Sequence, residues 1–182
     1  MSDSTAPNQQ NHALIVAAGQ GERSGLGRPK QFALVDGQPL VRRSAARFLD
    51  HQDIDKLWIV IASGQEDALN KALDGLADYE VVIGGATRQD SVHNGLSAIA
   101  AAGGAKNILI HDAARPFLSH VMIDRLISSL VYESAVIPVL PTIDTTINIA
   151  DGYAQDTLDR SKLWSVQTPQ AFDFQKLIQA HS

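Results

Sequence analysis

The chain has 182 residues, 45% of them hydrophobic, with no cysteine and a formal net charge of -5. This length suits one globular domain with a sizeable core. An acidic balance without a long basic run argues against a broad nucleic-acid-binding surface, although it allows a local anion site. The absence of cysteine excludes disulfides and thiolate metal sites, and the apolar runs are too short to cross a membrane. We therefore expect a cytoplasmic protein without nucleic-acid or membrane partners.

The first 11 residues are polar and lack the apolar core of a signal peptide, so we expect a disordered tail followed by one domain over 12–182. Within the domain, apolar runs alternate with helical patterns. The pattern predicts strands at 13–16, 56–62, 79–83, 107–110 and 134–140, and helices at 39–51, 65–76, 88–102, 119–132 and 172–181. This alternation favours an α/β fold, Rossmann-like and doubly wound around a mostly parallel sheet.

The alternation ends after Pro141. Residues 145–149 and 157–163 could pair as a hairpin around Asp151 and Gly152. Such an excursion either folds back on its own domain or projects towards a partner. We expect a projecting β-arm at about 142–163.

Three polar or glycine-containing segments follow predicted strand ends: the loop after Val16, residues 84–91 and residues 111–115. In open α/β sheets, ligands bind outside the carboxyl ends of the strands, where these three segments would meet. The first loop contains several glycines together with Arg23 and Lys30. It is either an ordinary surface loop or a phosphate-binding loop in which backbone N–H groups surround an anion.

Two common phosphate-binding motifs do not match this loop. A P-loop needs its lysine directly after glycine, whereas Lys30 follows Pro29. The dinucleotide fingerprint needs a third glycine at the position that Ser24 occupies. What remains is a long loop whose cations Arg23 and Lys30 could hold a triphosphate and stabilise charge as a phosphoryl bond breaks.

The other two segments leave alternatives open. Asp112 is either a helix cap or a ligand of a hard divalent cation. Ser91 is either a cap or a hydrogen-bonding partner of a sugar or base, with Gly85 allowing close backbone approach. Arg88 is interpreted as structural, paired with Asp90 or with a neighbouring carboxylate. His111 is interpreted as a packed strand-end histidine.

Several motifs occur together in a characteristic order. They are AAGQGER at 17–23, PKQ at 29–31, GG with RQDSV within 84–92, HDAARP at 111–116, DT at 144–145 and LWSVQTPQAF at 163–172. In combination they closely resemble the 2-C-methyl-D-erythritol 4-phosphate cytidylyltransferase family. The form of the last motif resembles versions of the enzyme that are fused to a cyclodiphosphate synthase.

The resemblance implies a nucleotide-diphospho-sugar transferase type of fold and a reaction of CTP with methylerythritol phosphate that requires Mg²⁺. It also implies a homodimer in which the arm reaches the neighbouring site. The residues that bind cytidine would be Ala17, Ala18, Gly19, Gly21, Gly85 and Ser91. The catalytic residues would be Arg23 and Lys30 at the triphosphate and Arg160 from the arm. Substrate binding would involve Asp112, Arg115, Thr145 and Thr168, with Asp112 also the candidate metal ligand.

Two features depart from the family pattern. Asp144 and Thr145 are followed by Thr-Ile-Asn rather than by a hydrophobic residue and lysine, which reduces the charge of the arm. Family members continue through an acidic segment and a Lys-Ile-Thr motif. This chain stops at Ser182, before both features, so we expect the C-terminal part of the family domain to be missing. Two alternatives therefore stay open: a sugar-1-phosphate nucleotidylyltransferase, and an inactive nucleotide-binding or dimerisation fragment.

Overall fold

The structure, a computed structural model, describes residues 9–19 and 29–181. Its strands are β1 (Asn11–Ala17), β2 (Leu34–Val35), β3 (Gln38–Pro39), β4 (Lys56–Ile61), β5 (Tyr79–Ile83), β6 (Asn107–Asp112), β7 (Ala135–Val136), β8 (Val139–Pro141), β9 (Ile147–Ala150), β10 (Tyr153–Thr157), β11 (Trp164–Val166) and β12 (Gln170–Asp173). Its helices are α1 (Leu40–Leu49), α2 (Glu66–Ala72), α3 (Arg88–Ala101), α4 (His120–Ser129) and α5 (Phe174–Ala180). Short 3-10 turns occur at Lys30–Phe32 and Arg160–Lys162.

Six of these strands form a central sheet in the order β5-β4-β1-β6-β12-β7. β1 pairs in parallel with β4 and β6, and β4 pairs in parallel with β5. β12 runs antiparallel between β6 and β7. The predicted α/β fold with a mostly parallel sheet is therefore confirmed.

The sheet is buried on both faces because its central strands are apolar at successive positions. Ile15 and Ile59 pack into one cluster, which includes side chains of α1, α2 and α4. Leu14 and Val60 point the other way, into a second cluster with α3 and the start of α5. Each such large side chain contributes about 1.5–3 kcal/mol by leaving water, so the two clusters stabilise the sheet from both faces.

Two helix starts are fixed by side-chain caps. Thr87 Oγ1 accepts from Asp90 N at 3.1 Å, and Asp90 Oδ2 accepts from Thr87 N at 3.0 Å, which together form a capping box at α3. Ser119 caps α4, because its Oγ accepts from Met122 N at 3.3 Å. α3 therefore begins at a defined position directly after β5.

The single strand predicted at 134–140 is wrong. It divides into β7 in the central sheet and β8 in a separate ladder. Pro138 lies between them and has no N–H to donate to a sheet. The sequence analysis also missed β12, which occupies the beginning of the helix predicted at 172–181, so that α5 starts only after Asp173 caps it.

The segment predicted as an arm contains two short antiparallel ladders, whose bounds differ from those predicted. β8 pairs with β11 at its base, and β9 pairs with β10 at its tip, so it spans 139–166. The predicted second hairpin strand at 157–163 is wrong because Asp151 and Gly152 form a tight turn with φ values of 53° and 80°. This turn pairs Ala150 with Tyr153 and places β10 directly after it.

The domain begins slightly earlier than predicted. Asn11, placed in the tail by the sequence analysis, opens β1, and Lys106 N donates to Gln10 O at 2.8 Å. Among residues 9–19 and 29–181, no helix combines the length and apolarity that a membrane-spanning helix requires.

Candidate functional site

The three predicted loops meet at one edge of the sheet. Val16 lies opposite Asp112 in the β1–β6 pair, and Gly84 N donates to Ile61 O at 2.8 Å just beyond the ends of β4 and β5. Ala113 N donates to Val16 O at 3.1 Å. The segments that follow β1, β5 and β6 are consequently neighbours at the carboxyl edge, which is the usual ligand-binding position in such sheets.

Gln31 fastens the 3-10 turn to the end of β1. Its side-chain Nε2 donates to Ala17 O at 2.5 Å and to Gly19 O at 3.0 Å, and lies 3.2 Å from Gln65 Oε1. Gln31 is buried, whereas the adjacent Lys30 is exposed. The turn therefore keeps the Lys30 backbone close to the predicted cytidine-binding residues. The sequence analysis missed this role because a single buried glutamine produces no periodic pattern.

Gly84 and Gly85 allow close packing of the loop after β5. A Cβ on Gly84 would lie 2.8 Å from Ala18 Cβ and 2.7 Å from Ser91 Oγ, and one on Gly85 would lie 2.3 Å from Asp90 Cβ. The predicted reason for Gly85 was close backbone approach to a ligand. The structure gives an independent reason, since Asp90 of the capping box occupies the space that a side chain at Gly85 would need.

Ser91 is buried, and its hydroxyl is used within the same loop. Its Oγ donates to Thr87 O at 2.9 Å and accepts from Gly85 N at 3.2 Å. Ser91 therefore shapes the loop that follows β5. Its predicted contact with cytidine stays a prediction, as do those of Ala17, Ala18, Gly19 and Gly85.

Asp112 lies between two arginines. Arg88 Nε and Nη2 both donate to Asp112 Oδ1, at 3.0 and 2.9 Å, and Arg115 Nε is 3.7 Å from Oδ2. Arg88, the first residue of α3, therefore pairs with a neighbouring carboxylate at the end of β6, one of the alternatives left open, while Asp90 serves the capping box. Arg115 Nη1 also donates to Gln167 Oε1 at 2.5 Å.

His111 connects this turn to the segment before β12. Its Nε2 lies 2.9 Å from Arg115 O, a pure acceptor, so Nε2 carries the proton. Nδ1 is then the acceptor for Thr168 Oγ1 at 2.9 Å. Burial, opposed by the hydrogen bond to Arg115, lowers the pKa of His111 from 6.5 to about 4. A neutral imidazole thus positions Thr168 beside Asp112, whose N–H is 3.4 Å from Thr168 Oγ1.

The remaining predicted residues are more widely distributed. Arg23 and Gly21 lie outside the described residues. Thr145 and Arg160 lie in the arm, where Arg160 Nη1 donates to Ile143 O at 3.1 Å. In the part of the chain that the structure describes, neither is joined to Asp112 by a hydrogen bond or an ion pair.

A group of possible metal ligands lies elsewhere. Ligand atoms of His51, Asp53 and Asp124 are within 4.8 Å of one another. His51 follows α1 and precedes β4, so it lies at the edge where the parallel strands begin. Both ring nitrogens are already engaged, Nδ1 by Asp53 N at 3.2 Å and Nε2 by Asp124 Oδ1 at 3.1 Å. This group is at the opposite edge from Asp112.

Comparisons with known proteins agree with the resemblance seen in the motifs. The family model described as IspD, 2-C-methyl-D-erythritol 4-phosphate cytidylyltransferase, matches residues 11–182. A curated relative, the bifunctional enzyme IspD/IspF of Nitrobacter hamburgensis, is 41% identical over 175 residues, which cover 96% of this chain and 43% of the relative. The chain therefore spans less than half the length of that relative.

Solved structures are similar over nearly the whole chain. The 4-diphosphocytidyl-2C-methyl-D-erythritol synthase of Anaerococcus prevotii has a TM-score of 0.81 at 27% identity, covering 95% of this chain and 74% of that one. The 2-C-methyl-D-erythritol 4-phosphate cytidylyltransferase of Thermus thermophilus has a TM-score of 0.76 at 30% identity, covering 95% and 75%. By its fold and its sequence, the chain belongs to the 2-C-methyl-D-erythritol 4-phosphate cytidylyltransferase family.

Proposed function

We propose that the protein containing this chain transfers a cytidylyl group from CTP to 2-C-methyl-D-erythritol 4-phosphate in isoprenoid biosynthesis. The supporting observation is the meeting of the β1, β5 and β6 loops at one edge, together with Lys30, Arg88 and Arg115. Two polyanionic substrates need cations around the point where they react. Family membership supports the choice of these two substrates.

The proposed reaction needs no general base. A phosphate oxygen of methylerythritol phosphate attacks the α-phosphorus of CTP, a new P–O bond forms, and the bond between the α-phosphorus and its bridging oxygen breaks as pyrophosphate leaves. The nucleophile is ionised near neutral pH, so catalysis depends on positioning and on neutralising charge. Lys30 and Arg23 serve the triphosphate in this proposal. A well-placed cation contributes about 10³ to 10⁵ in rate, or about 4–7 kcal/mol.

The nucleoside is proposed to lie over the β1 and β5 ends. The backbone of 17–19 would approach the base and ribose, together with Gly21 and Gly85, while Ser91 keeps the second loop in shape. Asp112, Arg115 and Thr168 would bind the acceptor substrate. The hydrogen bonds through His111 support this grouping because they join all three to one turn.

Mg²⁺ enters the proposal as an ion accompanying CTP, since Mg²⁺ is commonly bound through substrate phosphates. Among the described residues at this edge, the carboxylates of Asp90 and Asp112 are engaged by the capping box and by Arg88. The oxygen that remains, Asp112 Oδ2, lies 3.7 Å from the Arg115 guanidinium, and this neighbouring positive charge disfavours an ion held by the protein there. The assignment of Asp112 as a metal ligand stays a prediction.

We also propose a homodimer formed through the arm. Ile149, Tyr153 and Trp164 are 68%, 74% and 55% exposed, an unusual concentration of apolar surface on a narrow projection. Contact with a second subunit would cover it. Thr145 and Arg160 would then reach the acceptor-binding side of the neighbouring site.

The curated relative matched here is a bifunctional enzyme. We propose that this chain likewise belongs to a longer protein with a cyclodiphosphate synthase domain. A cytoplasmic location, which the absence of cysteine favours, completes the proposal.

A substrate panel tests the proposed activity. Pyrophosphate release is measured with CTP, UTP or GTP, combined with methylerythritol phosphate or a sugar 1-phosphate. Turnover with CTP and methylerythritol phosphate is the expected result. Preference for UTP or GTP with a sugar phosphate would support a sugar-1-phosphate nucleotidylyltransferase instead, and binding of CTP without turnover would indicate a binding or dimerisation module.

A further inference from the structure

We propose that Arg88 is a positioning residue that acts on the acceptor substrate through Asp112. The inference rests on the proposed function, because it concerns the same edge of the sheet. The Arg88 guanidinium holds one oxygen of Asp112, so that the other oxygen is presented to a hydroxyl group of the acceptor.

The geometry of the contact is specific. Arg88 Nε and Nη2 form a fork on the single atom Oδ1, at 3.0 and 2.9 Å. Oδ2 is left without a hydrogen bond from Arg88 and lies 3.7 Å from Arg115 Nε. Because both donors of the planar guanidinium converge on Oδ1, the contact fixes the position of that oxygen and thereby restricts rotation of the carboxylate about its Cβ–Cγ bond.

Arg88 is itself held in place from the helix side. It is the first residue of α3, directly after the Thr87 cap, and the reciprocal bonds between Thr87 and Asp90 fix that turn. The positive end of a helix dipole disfavours a cation in the first turn. A cation at this position is explained by its carboxylate partner on β6 rather than by the stability of its own helix.

The pair joins the two halves of the proposed site. Arg88 begins α3 directly after the β5 loop, where the nucleoside would bind, and Asp112 ends β6, where the acceptor would bind. Both side chains are partly exposed, at 51% and 33%, so the ion pair itself adds little stability in water. Its position between two substrates therefore suggests a role in alignment.

Steady-state kinetics of Arg88→Ala, Arg88→Lys and Asp112→Asn in the full-length protein test this role. We expect Arg88→Ala to raise KM for methylerythritol phosphate about tenfold, and KM for CTP less than about threefold, because Asp112 is freed to rotate. Arg88→Lys should restore only part of the loss, since an amine supplies charge without a fork. The double variant Arg88→Ala/Asp112→Asn should be less impaired than the product of the two single effects.

Arg42→Ala is the control because it also removes a hydrogen-bonded guanidinium, one that donates to the backbone oxygens of Ala72 and Asp74 and contacts none of the proposed site residues. Circular dichroism and thermal unfolding check that each variant folds. Arg88→Gln replaces Arg88→Ala if the alanine variant does not fold. Unchanged kinetics, equal increases in both KM values, or independent effects of Arg88 and Asp112 would each overturn the role of Arg88 while leaving the activity intact. An inactive but folded wild-type protein would overturn the proposed function and this inference together.

Discussion

At the scale of single residues, the edge of the sheet is organised by buried polar side chains that hydrogen-bond to neighbouring segments. Gln31 fastens the Lys30 turn to β1, and His111 fastens the Asp112 turn to Thr168. Both are buried, and each connects backbone segments that are far apart in the chain. The charged residues can therefore stay exposed to solvent while their backbone positions remain fixed.

Lys30 is the described cation whose removal should affect the chemical step most. We expect Lys30→Ala to lower kcat by about 10³-fold or more, because the proposed role of this cation is to neutralise the negative charge that builds up at the triphosphate. The fold should persist, since the side chain is exposed. Single-turnover rates with CTP and methylerythritol phosphate measure the effect, and Lys71→Ala on α2 is an exposed-lysine control. Near-normal turnover would remove Lys30 from the mechanism.

His111 should make stability depend on pH. Its folded pKa of about 4 lies below the ordinary 6.5, so the unfolded chain takes up a proton first as the pH falls. The contribution of neutral His111 to the free energy of unfolding is fully present above pH 6.5 and is lost as the pH falls from 6.5 to about 4. At pH 5 the loss is on the order of 2 kcal/mol. Urea unfolding at pH 7.5 and pH 5 measures the loss. His111→Gln should show a smaller loss over the same interval, and an equal loss would assign the effect to other groups.

At the scale of elements, the β5–α3 turn is held by contacts that leave no room for a Cβ. We expect Gly85→Ala to reduce the free energy of unfolding by about 1–3 kcal/mol, because the new atom would collide with Asp90 Cβ. Loss of the capping box contributes to the same change. Urea unfolding of this variant is compared with that of Ala86→Ser, which adds one atom to an exposed side chain in the same turn. Equal stabilities would show that the loop relaxes without cost.

The elements that were predicted correctly are those whose signal is local. β4 and β6 are short, nearly continuous apolar runs, and Thr87 and Ser119 precede recognisable helical patterns. β12 was missed because its four residues become a strand only through pairing with β6, which lies some 60 positions earlier.

The candidate site was only partly predictable for the same reason, since the choice of Asp112 over Asp90 as the partner of Arg88 required the tertiary structure. Asp112 and Lys30 could be proposed in advance because polar residues that follow strand ends are a local signal, whereas the role of Arg115 came from the family resemblance.

At the scale of the whole molecule, the exposed apolar side chains of the arm predict self-association. Light scattering at micromolar concentration should give about twice the 19.6 kDa mass of this chain. Ile149→Asp should give a monomer with an unchanged circular dichroism spectrum, since this side chain is 68% exposed. Val131→Asp places the same charge at a 72% exposed position outside the arm and should remain dimeric. A monomeric wild-type chain would count against a site shared between subunits.

The position of β12 also affects how the molecule folds. β6 lies between β1 and β12 in the finished sheet. Its edge towards β12 stays unpaired until Gln170–Asp173, which follows the arm in the chain, has been synthesised and has paired with it. Closing so long a loop delays these contacts and gives the sheet a high contact order. During that interval β6 is a temporary edge strand, able to pair with other chains. The protein should therefore be most prone to aggregation during synthesis, before β12 takes its place between β6 and β7.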